Sequence, residues 1–389
     1  MKIIHISPNA PYNEGWSYQE NILPKYQAKL GHEVILIVTN EEHRDGRIVR
    51  TECTDGVTAD GFRVIRMQQR PSAVPVLNRS LKQIDVYEVL KQERPDFIFY
   101  HGMVSATIFQ VCRYRRMINP ECVIVQDNHM DYNIGFDLHS RTGVILKMMY
   151  SAIFRMTRKH ISKVYGVTPW RVEYAQEAFG VPEGMTDVLI MGADDEKIRF
   201  DRQNEIRQTI RRKNGITDDE FLIVTGGKID ERKKIHLLME AVNRLENVRL
   251  LVFGNVLDDI RKQFERRLSE RVQWVGFIPA DEAYDYFFAA DLVFFPGQHS
   301  VLWEQACACK KPCVFARWKG MDHVDHGGNA RFVDDVSVEG IRKCIESLNR
   351  TAEYEQMKAC AESEKTDIYL YSSIAEKSLE MMNGRKLKK

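Results

Sequence analysis

Short apolar runs alternate with helical patterns along the whole chain, and the alternation starts afresh in the second half. In the first half the runs lie at 2–7, 32–39, 62–67, 96–100 and 123–126. In the second half they lie at 221–225, 248–253, 272–275, 292–295 and 313–316. Strands that are separated by helices pair in parallel through right-handed crossovers. The pattern predicts an α/β fold with two Rossmann-like domains in tandem.

The length of 389 residues also favours two domains, because single cores rarely grow that large. We expect an N-terminal domain at 1–185 and a C-terminal domain at 186–365. Apolar residues at helical spacing predict a helix over 366–382, which would pack back on the N-terminal domain. The chain then ends in a basic tail, GRKLKK.

The composition argues against several classes of protein. A net charge of +1 gives no electrostatic footprint for nucleic-acid binding. No apolar run reaches the ~20 residues of a membrane span, and the first apolar stretch is too short for a signal peptide. The eight cysteines form no CxxC pair, so neither a zinc site nor a disulfide framework is indicated. These features favour a cytoplasmic protein.

Ligands of open parallel sheets bind at the carboxyl ends of the strands, and a cleft between two such sheets is the natural site. Directly after the strand FLIVT stand Gly226, Gly227 and Lys228, and Lys233 follows five residues later. Glycines let a phosphate approach the backbone, and helix N-termini attract anions. This turn is a candidate phosphate site. An ordinary glycine turn with solvated lysines is the alternative interpretation.

A second candidate follows the strand LVFF, in the sequence PGQHSVLWE. A glycine and the open amides of a helix start suit an anion or sugar hydroxyls. Glu304 can accept hydrogen bonds from a vicinal diol such as a ribose, although a carboxylate is also favoured there by the helix dipole alone. The candidate residues are Gly297, Gln298, His299, Ser300, Val301 and Glu304.

In the first half, polar residues follow the strand VIVQ. His129 could bond to a substrate hydroxyl or act as a base, with Asp127 and Asp131 beside it. The alternatives are an ordinary polar loop and a metal site made of these three residues. Gly15 and Trp16 precede the first long helix, where a glycine permits close approach of a ligand.

Two further features carry weaker signals. Between Arg141 and Arg171 the chain has seven lysines and arginines, no acidic residue, and interleaved apolar residues. Such a stretch can lie on an anionic membrane surface or form a core helix with a basic outer face.

His323 and His326 resemble a metal pair but lack helix-spaced partners, so no metal site is expected.

Together these segments resemble the GT-B glycosyltransferases of the retaining family 4 type, over most of the chain. Gly15 followed by LPKYQAKLGHEVILIV looks like that family's glycine loop, first helix and GHEV strand. The segment with GADDEKIRF is similar to its inter-domain segment, and GGKIDERKKIHLLMEAV to its first phosphate pattern. WEQACACKKPCVF looks like the region around the second glutamate of its motif.

The resemblance implies that the first domain binds the acceptor, near Gly15, and the second a nucleotide sugar. Lys228 and Lys233 would grip the donor diphosphate, and Glu304 would hold the ribose. His129 would approach the transferred sugar. The residues implied beside the base are Gly276, Phe277 and Ile278, and those that would present amides to the phosphate and sugar run from Gly297 to Val301.

One position departs from the family pattern. The family carries two glutamates eight residues apart, whereas Pro296 stands eight residues before Glu304. Gln298 and His299 are the candidates to replace the absent glutamate.

The resemblance further implies retaining, metal-independent transfer of a sugar, from a UDP-type more than a GDP-type donor, without a cofactor. The implied acceptor is a saccharide or lipid-linked saccharide in cell-surface polysaccharide synthesis, with the enzyme peripheral at the inner face of the membrane. Two alternatives stay open: a nucleotide-sugar epimerase or hydrolase of the same fold, and a catalytically degenerate nucleotide-sugar-binding scaffold subunit.

Overall fold

The computed structural model describes residues 1–70 and 82–382, and the chain divides into two compact units. Unit 1 comprises Met1–Ile190 and Ile374–Lys389, and unit 2 comprises Met191–Ser373. The predicted basic tail at 384–389 lies outside the described residues. Each unit is built on its own parallel sheet, so the predicted fold class is confirmed.

Unit 1 holds a sheet with the strand order β10-β9-β8-β7-β1-β2-β6-β5 and a small hairpin, β3-β4. The strands are β1 Lys2–Ser7, β2 Glu33–Thr39, β3 Glu41–Arg44, β4 Arg47–Arg50, β5 Asp55–Val57, β6 Arg63–Met67, β7 Phe97–Tyr100, β8 Val123–Asn128, β9 Lys163–Gly166 and β10 Thr186–Val188. The helices are α1 Gln19–Lys29, α2 Tyr87–Glu93, α3 Thr107–Met117, α4 Arg141–Thr157 and α5 Pro169–Phe179.

Unit 2 holds a parallel sheet with the strand order β13-β12-β11-β14-β15-β16. Its strands are β11 Phe221–Gly226, β12 Val248–Phe253, β13 Val272–Gly276, β14 Leu292–Phe295, β15 Cys313–Ala316 and β16 Ala330–Val333. The helices are α6 Gln203–Lys213, α7 Ile235–Val242, α8 Arg261–Glu265, α9 Ala283–Ala289, α10 Leu302–Ala308, α11 Val338–Leu348 and α12 Ala352–Ala361, and α13 Tyr371–Ser378 leads the chain back into unit 1.

Burial explains why these runs form strands rather than helices. The central strands β1, β7 and β8 are buried along almost their entire length, as expected where helices cover both faces of a parallel sheet. Beneath unit 2's sheet, Leu238 and Val242 from α7 pack with Ile341 and Ile345 from α11 in one apolar cluster. The rigid sheets hold the strand ends in place, and those ends carry the site.

The structure corrects two sequence predictions. The expectation of parallel pairing fails at β5, which pairs antiparallel with β6, and at the hairpin β3-β4. Pro24 lies inside α1, and Gly31 follows that helix with a positive φ of 83°. The predicted helix over 366–382 is interrupted, because a 3-10 helix over Glu364–Tyr369 ends before Leu370 bridges Ala193.

Among the described residues, none of the helices combines the length and the apolar character that a bilayer span requires.

Candidate functional site

The predicted phosphate turn lies where β11 meets the end of β12. Gly227 has a φ of +112°, and its N–H donates to the carbonyl oxygen of Phe253 at 3.0 Å. Gly254 follows β12 with a φ of +115°, and a Cβ atom at Gly254 would stand 1.9 Å from the Gly227 carbonyl oxygen. Only glycine fits this crossing of two backbones, so the turn has a fixed shape at the carboxyl edge of the sheet.

The two predicted phosphate lysines occupy different environments. Lys228 is exposed, whereas Lys233 is mostly buried and ends a 3-10 turn that Asp230 caps through the Lys233 N–H. The Lys233 Nζ donates to the carbonyl oxygens of Gln298 at 2.7 Å and His299 at 3.1 Å. Burial lowers the pKa of Lys233 to about 8. Lys233 is therefore an ammonium group held in place by the second candidate loop.

The backbone after β14 packs directly on the Lys233 turn. A Cβ atom at Gly297 would stand 2.4 Å from the backbone of Lys233, so this position also requires glycine. The Gln298 N–H donates to the carbonyl oxygen of Arg232 at 3.1 Å. That contact corrects the expectation that every amide from Gly297 to Val301 is open to a phosphate, because the Gln298 amide is already engaged.

Glu304 lies in the first turn of α10 and is buried, with two histidines on one of its oxygens. The Oε1 atom accepts from the Nε2 atoms of His299 and His323, each at 2.8 Å. Burial would raise the pKa of Glu304, but the two imidazoles outweigh it and hold the pKa well below its usual range. The Oε2 atom is buried without a hydrogen-bond partner among the described residues. A ligand hydroxyl could donate a hydrogen bond to this oxygen.

The residues predicted beside a base close the edge of the same sheet. Gly276 ends β13 with a φ of +85°, and its carbonyl oxygen accepts from the Gly254 N–H at 2.7 Å. Phe277 is exposed and Ile278 half-buried. The strand ends of β13, β12 and β11 therefore follow one another along this edge, and the predicted donor residues are brought together within unit 2.

In unit 1, Asp127 is the centre of a group of histidines. Its Oδ2 atom contacts His101 Nδ1 at 2.9 Å and His129 Nε2 at 3.2 Å, and its Oδ1 atom accepts from the Gly102 N–H at 2.7 Å. Burial would raise the pKa of Asp127, but the histidines outweigh it and hold the pKa well below its usual range. Burial would lower the pKa of His129, but the neighbouring Asp127 carboxylate outweighs it, so the pKa of His129 is raised.

The other first-domain candidates have structural contacts of their own. Asp131 is buried, accepts from the backbone N–H of Asn133 and pairs with Arg171 at 3.2 Å. Gly15 has a φ of +79°, and the space where a Cβ atom would stand is open. Glycine is therefore favoured here by the backbone angle and not by the close approach of another group. Trp16 stacks on His43 with ring centroids 5.4 Å apart.

Two clusters of side chains lie close enough to hold a metal ion in principle. They are His101, Asp127 and His129 in unit 1, and His299, Glu304 and His323 in unit 2. In both clusters a carboxylate oxygen lies within hydrogen-bond distance of the ring nitrogens, as expected when imidazole N–H groups donate to it. His326 is separate from the second cluster, since its N–H bonds to Asn329. These hydrogen bonds explain why the side chains of each cluster lie together.

Sequence reasoning missed three residues that shape these sites. His101 directly follows β7, and Gly254 directly follows β12. The same position after a predicted strand identified Asp127 and Gly227 as candidates, so it could have identified these two residues as well. His323 was noticed only as half of a metal pair. Its partner, Glu304, is distant in sequence, and no local pattern joins the two.

Comparison with known proteins finds similarity to glycosyltransferases. Residues 206–366 match the family described as Glycosyl transferases group 1. An uncharacterized glycosyltransferase from Methanocaldococcus jannaschii is 25% identical over 167 residues, which is 40% of this chain. The match spans 42% of that curated relative, less than half of its length.

Solved structures share the fold over the full length. A glycosyltransferase from Rickettsia africae has a TM-score of 0.68 at 15% identity, covering 98% of this chain and 97% of its own. Anabaena HepE in complex with UDP has a TM-score of 0.66 at 17% identity, covering 99% of this chain and 100% of its own. The architecture is the GT-B fold, with two Rossmann-like domains.

Proposed function

We propose that this protein is a glycosyltransferase that moves a sugar from a UDP-sugar to a saccharide acceptor. The observation that carries the proposal is the contact of Lys233 with the loop that leads to Glu304, at the carboxyl edge of one sheet. A fixed cation and a buried carboxylate, one oxygen of which has no hydrogen-bond partner among the described residues, suit a diphosphate and a ribose. The family match over 206–366 covers both residues, and the UDP-bound neighbour supports the choice of base.

The chemical demand of this reaction is to stabilise negative charge on the departing diphosphate. Lys233 is preorganised for that purpose, and exposed Lys228 adds a second ammonium at the turn. The backbone amides of Gly297, Ser300 and Val301 complete the set, since that of Gln298 is engaged. These groups supply the charge without metal or cofactor. The leaving phosphate would take the acceptor proton, which fits retention at the anomeric carbon.

The absent first glutamate requires a substitute at the sugar-binding corner. The Nε2 atom of His299 lies within hydrogen-bond distance of Glu304, so the His299 ring positions the carboxylate that would bind the ribose. We therefore assign the contact with the donor sugar to Gln298, whose side chain amide can both donate to and accept from hydroxyls.

A panel of nucleotide sugars in a thermal-shift assay tests the proposal. UDP-sugars should raise the melting temperature by mass action, and the best ligand would name the sugar. Glu304→Gln should abolish most of that shift for UDP-sugars but less of it for inorganic diphosphate, which lacks a ribose. If no nucleotide sugar stabilises the wild-type protein, the proposed donor site is wrong.

Product analysis separates the proposal from its two rivals. Incubation with the best donor and a panel of saccharide and lipid-linked acceptors should give a glycosylated acceptor and UDP. Free sugar or an epimerised nucleotide sugar in the absence of acceptor would instead identify a hydrolase or epimerase. Donor binding without turnover over the whole panel would identify a scaffold subunit.

The proposal extends to the acceptor. We propose that the protein acts in cell-surface polysaccharide synthesis and binds an anionic membrane surface, where a lipid-linked acceptor would lie. Helix α4 exposes apolar side chains rather than a basic outer face alone: Ile145 is 66% exposed and Met148 68% exposed. Arg141 and Arg155 are exposed on the same helix. An apolar stripe with flanking cations suits the boundary of an anionic bilayer, which would place the protein at the inner face of the membrane.

Vesicle flotation is expected to recover the protein with anionic vesicles more than with neutral ones. Changing Ile145 and Met148 together to serine should reduce that recovery, since both apolar contacts would be lost. Ile48→Ser is the matched control, because Ile48 is also exposed in unit 1, at 57%, but lies on β4. Equal recovery of the wild-type protein with neutral and anionic vesicles would contradict the proposal.

Affinity for UDP is expected to fall as the pH rises through about 8, because burial lowers the pKa of Lys233 to about 8 in the free protein. A bound diphosphate favours the charged ammonium and raises that pKa, so binding takes up a proton above pH 8 and weakens as the pH rises. Calorimetry in buffers of different ionisation enthalpy measures the proton uptake. An affinity that is constant from neutral pH to well above 8 would contradict this prediction.

A further inference from the structure

A line of polar side chains crosses unit 1 from the C-terminal helix to the carboxyl edge of the sheet. We call it the polar chain, and its members in order are Ser378, Gln27, His5, His101 and Asp127. All five are at least 95% buried, and each contacts the next at between 2.7 and 3.0 Å. His129 contacts the far end of the chain, at Asp127.

The hydrogen bonds at the helix end of the polar chain have a fixed direction. The Ser378 hydroxyl has one proton and donates it to the carbonyl oxygen of Ala375 at 2.6 Å. Ser378 Oγ therefore accepts from Gln27, whose Nε2 atom lies 2.8 Å away. That contact turns the amide oxygen of Gln27 toward His5 Nε2, 2.7 Å away. An amide oxygen only accepts, so His5 must carry its proton on Nε2.

The same reasoning extends to His101. Burial lowers the pKa of His5 to about 3, so His5 is neutral and its Nδ1 atom can only accept. His101 Nε2, 3.0 Å away, must then donate to it. On the other side of the ring, His101 Nδ1 faces the carboxylate of Asp127 at 2.9 Å and must donate as well. His101 therefore has a proton on each nitrogen and is a buried imidazolium ion.

We propose that the polar chain holds His101 as an imidazolium ion, whose charge offsets that of Asp127 and so sets the proton affinity of His129. His101 is then a positioning residue, because it acts on the substrate side only through Asp127 and His129. The proposal rests on the proposed function in one respect: for a glycosyltransferase, the family resemblance implies that His129 approaches the transferred sugar.

Other charged groups face His129 from the neighbouring elements. Glu20 in the first turn of α1 raises the pKa of His129, and Arg171 on α5 lowers it. Arg171 is itself paired with Asp131. None of these three residues belongs to the polar chain, so a change at Ser378 alters the charge on His101 without removing them.

Ser378→Ala tests the proposal from the end that is farthest from His129. Without the serine oxygen, the Gln27 amide can turn and present its NH₂ group to His5 Nε2. His5 would then carry its proton on Nδ1 and donate to His101, which would no longer need its second proton. The negative charge of Asp127 would act on His129 without offset, so the pKa of His129 should move up. Ser378→Thr keeps the hydroxyl and is the matched control.

Nitrogen-15 NMR of the histidine rings in the resting full chain is the measurement. We expect His101 to show two protonated nitrogens in the wild-type protein and the threonine variant, and one in the alanine variant, together with the upward shift for His129. A wild-type His101 with one protonated nitrogen would overturn the inference, even if the variants failed to fold. So would an unchanged His129 titration in a folded alanine variant.

The pH profile of sugar transfer separates this inference from the proposed function. If His129 meets the substrate, its titration should appear in kcat/KM and should move to higher pH in Ser378→Ala. If the NMR results are as expected but the profile does not move, the charge assignment of the polar chain stands and the substrate role of His129 is wrong.

Discussion

Lys233→Met is expected to lower kcat/KM for sugar transfer by at least about a hundredfold, the usual loss when one preorganised donor to a developing negative charge is removed. The ammonium group is fixed before the donor arrives, by the carbonyl oxygens of Gln298 and His299. Because it is mostly buried, its charge acts in a medium of low dielectric, where each interaction with a phosphate is stronger than in water. The variant should also lose most of its affinity for UDP.

The control for this variant is Lys262→Met, which removes an exposed ammonium from α8 in the same unit. It should leave turnover and UDP affinity unchanged. Steady-state kinetics and calorimetry with UDP measure the two effects, and the melting temperature shows whether each variant is folded. A folded Lys233→Met protein that binds UDP as tightly as the wild type would contradict the assignment of this residue to the diphosphate.

Much of the fold could be predicted from the sequence, because the strands are continuous apolar runs with helices between them. The runs at 221–225 and 248–253 correspond to β11 and β12 almost residue for residue. The hairpin β3-β4 could not be found in this way. Six of its eight residues, EEHR and RIVR, are polar or charged, and only Glu41 is buried, so they form no continuous apolar run.

The candidate site was most predictable where its residues lie at strand ends. Asp127, Gly227 and Gly297 all stand at strand ends, and the parallel fold brings such positions to one edge of each sheet. The contacts that fix charge were not predictable, because they join residues far apart in sequence. His323 meets Glu304 across nineteen positions, and Gln27 meets Ser378 across 351. Only a folded chain shows which histidine has which partner.

Gly254→Ala is expected to be the most destabilising substitution at the site, lowering the free energy of unfolding by at least about 3 kcal/mol. The position has a φ of +115°, which side chains rarely adopt, and the new Cβ would stand 1.9 Å from the Gly227 carbonyl oxygen. Neither backbone can yield easily, because the Gly254 N–H donates to Gly276 and the Gly227 N–H to Phe253. Any relief must therefore displace the phosphate turn itself.

Gly276→Ala separates the effect of the steric clash from that of the backbone angle. Gly276 also ends a strand with a positive φ, +85°, but the space where its Cβ would stand is open. Its substitution should cost only the conformational strain of about 1–2 kcal/mol. Denaturant unfolding followed by tryptophan fluorescence compares the two variants, and UDP affinity should fall more in Gly254→Ala. Equal losses of stability would mean that the crossing of Gly227 and Gly254 does not fix the turn.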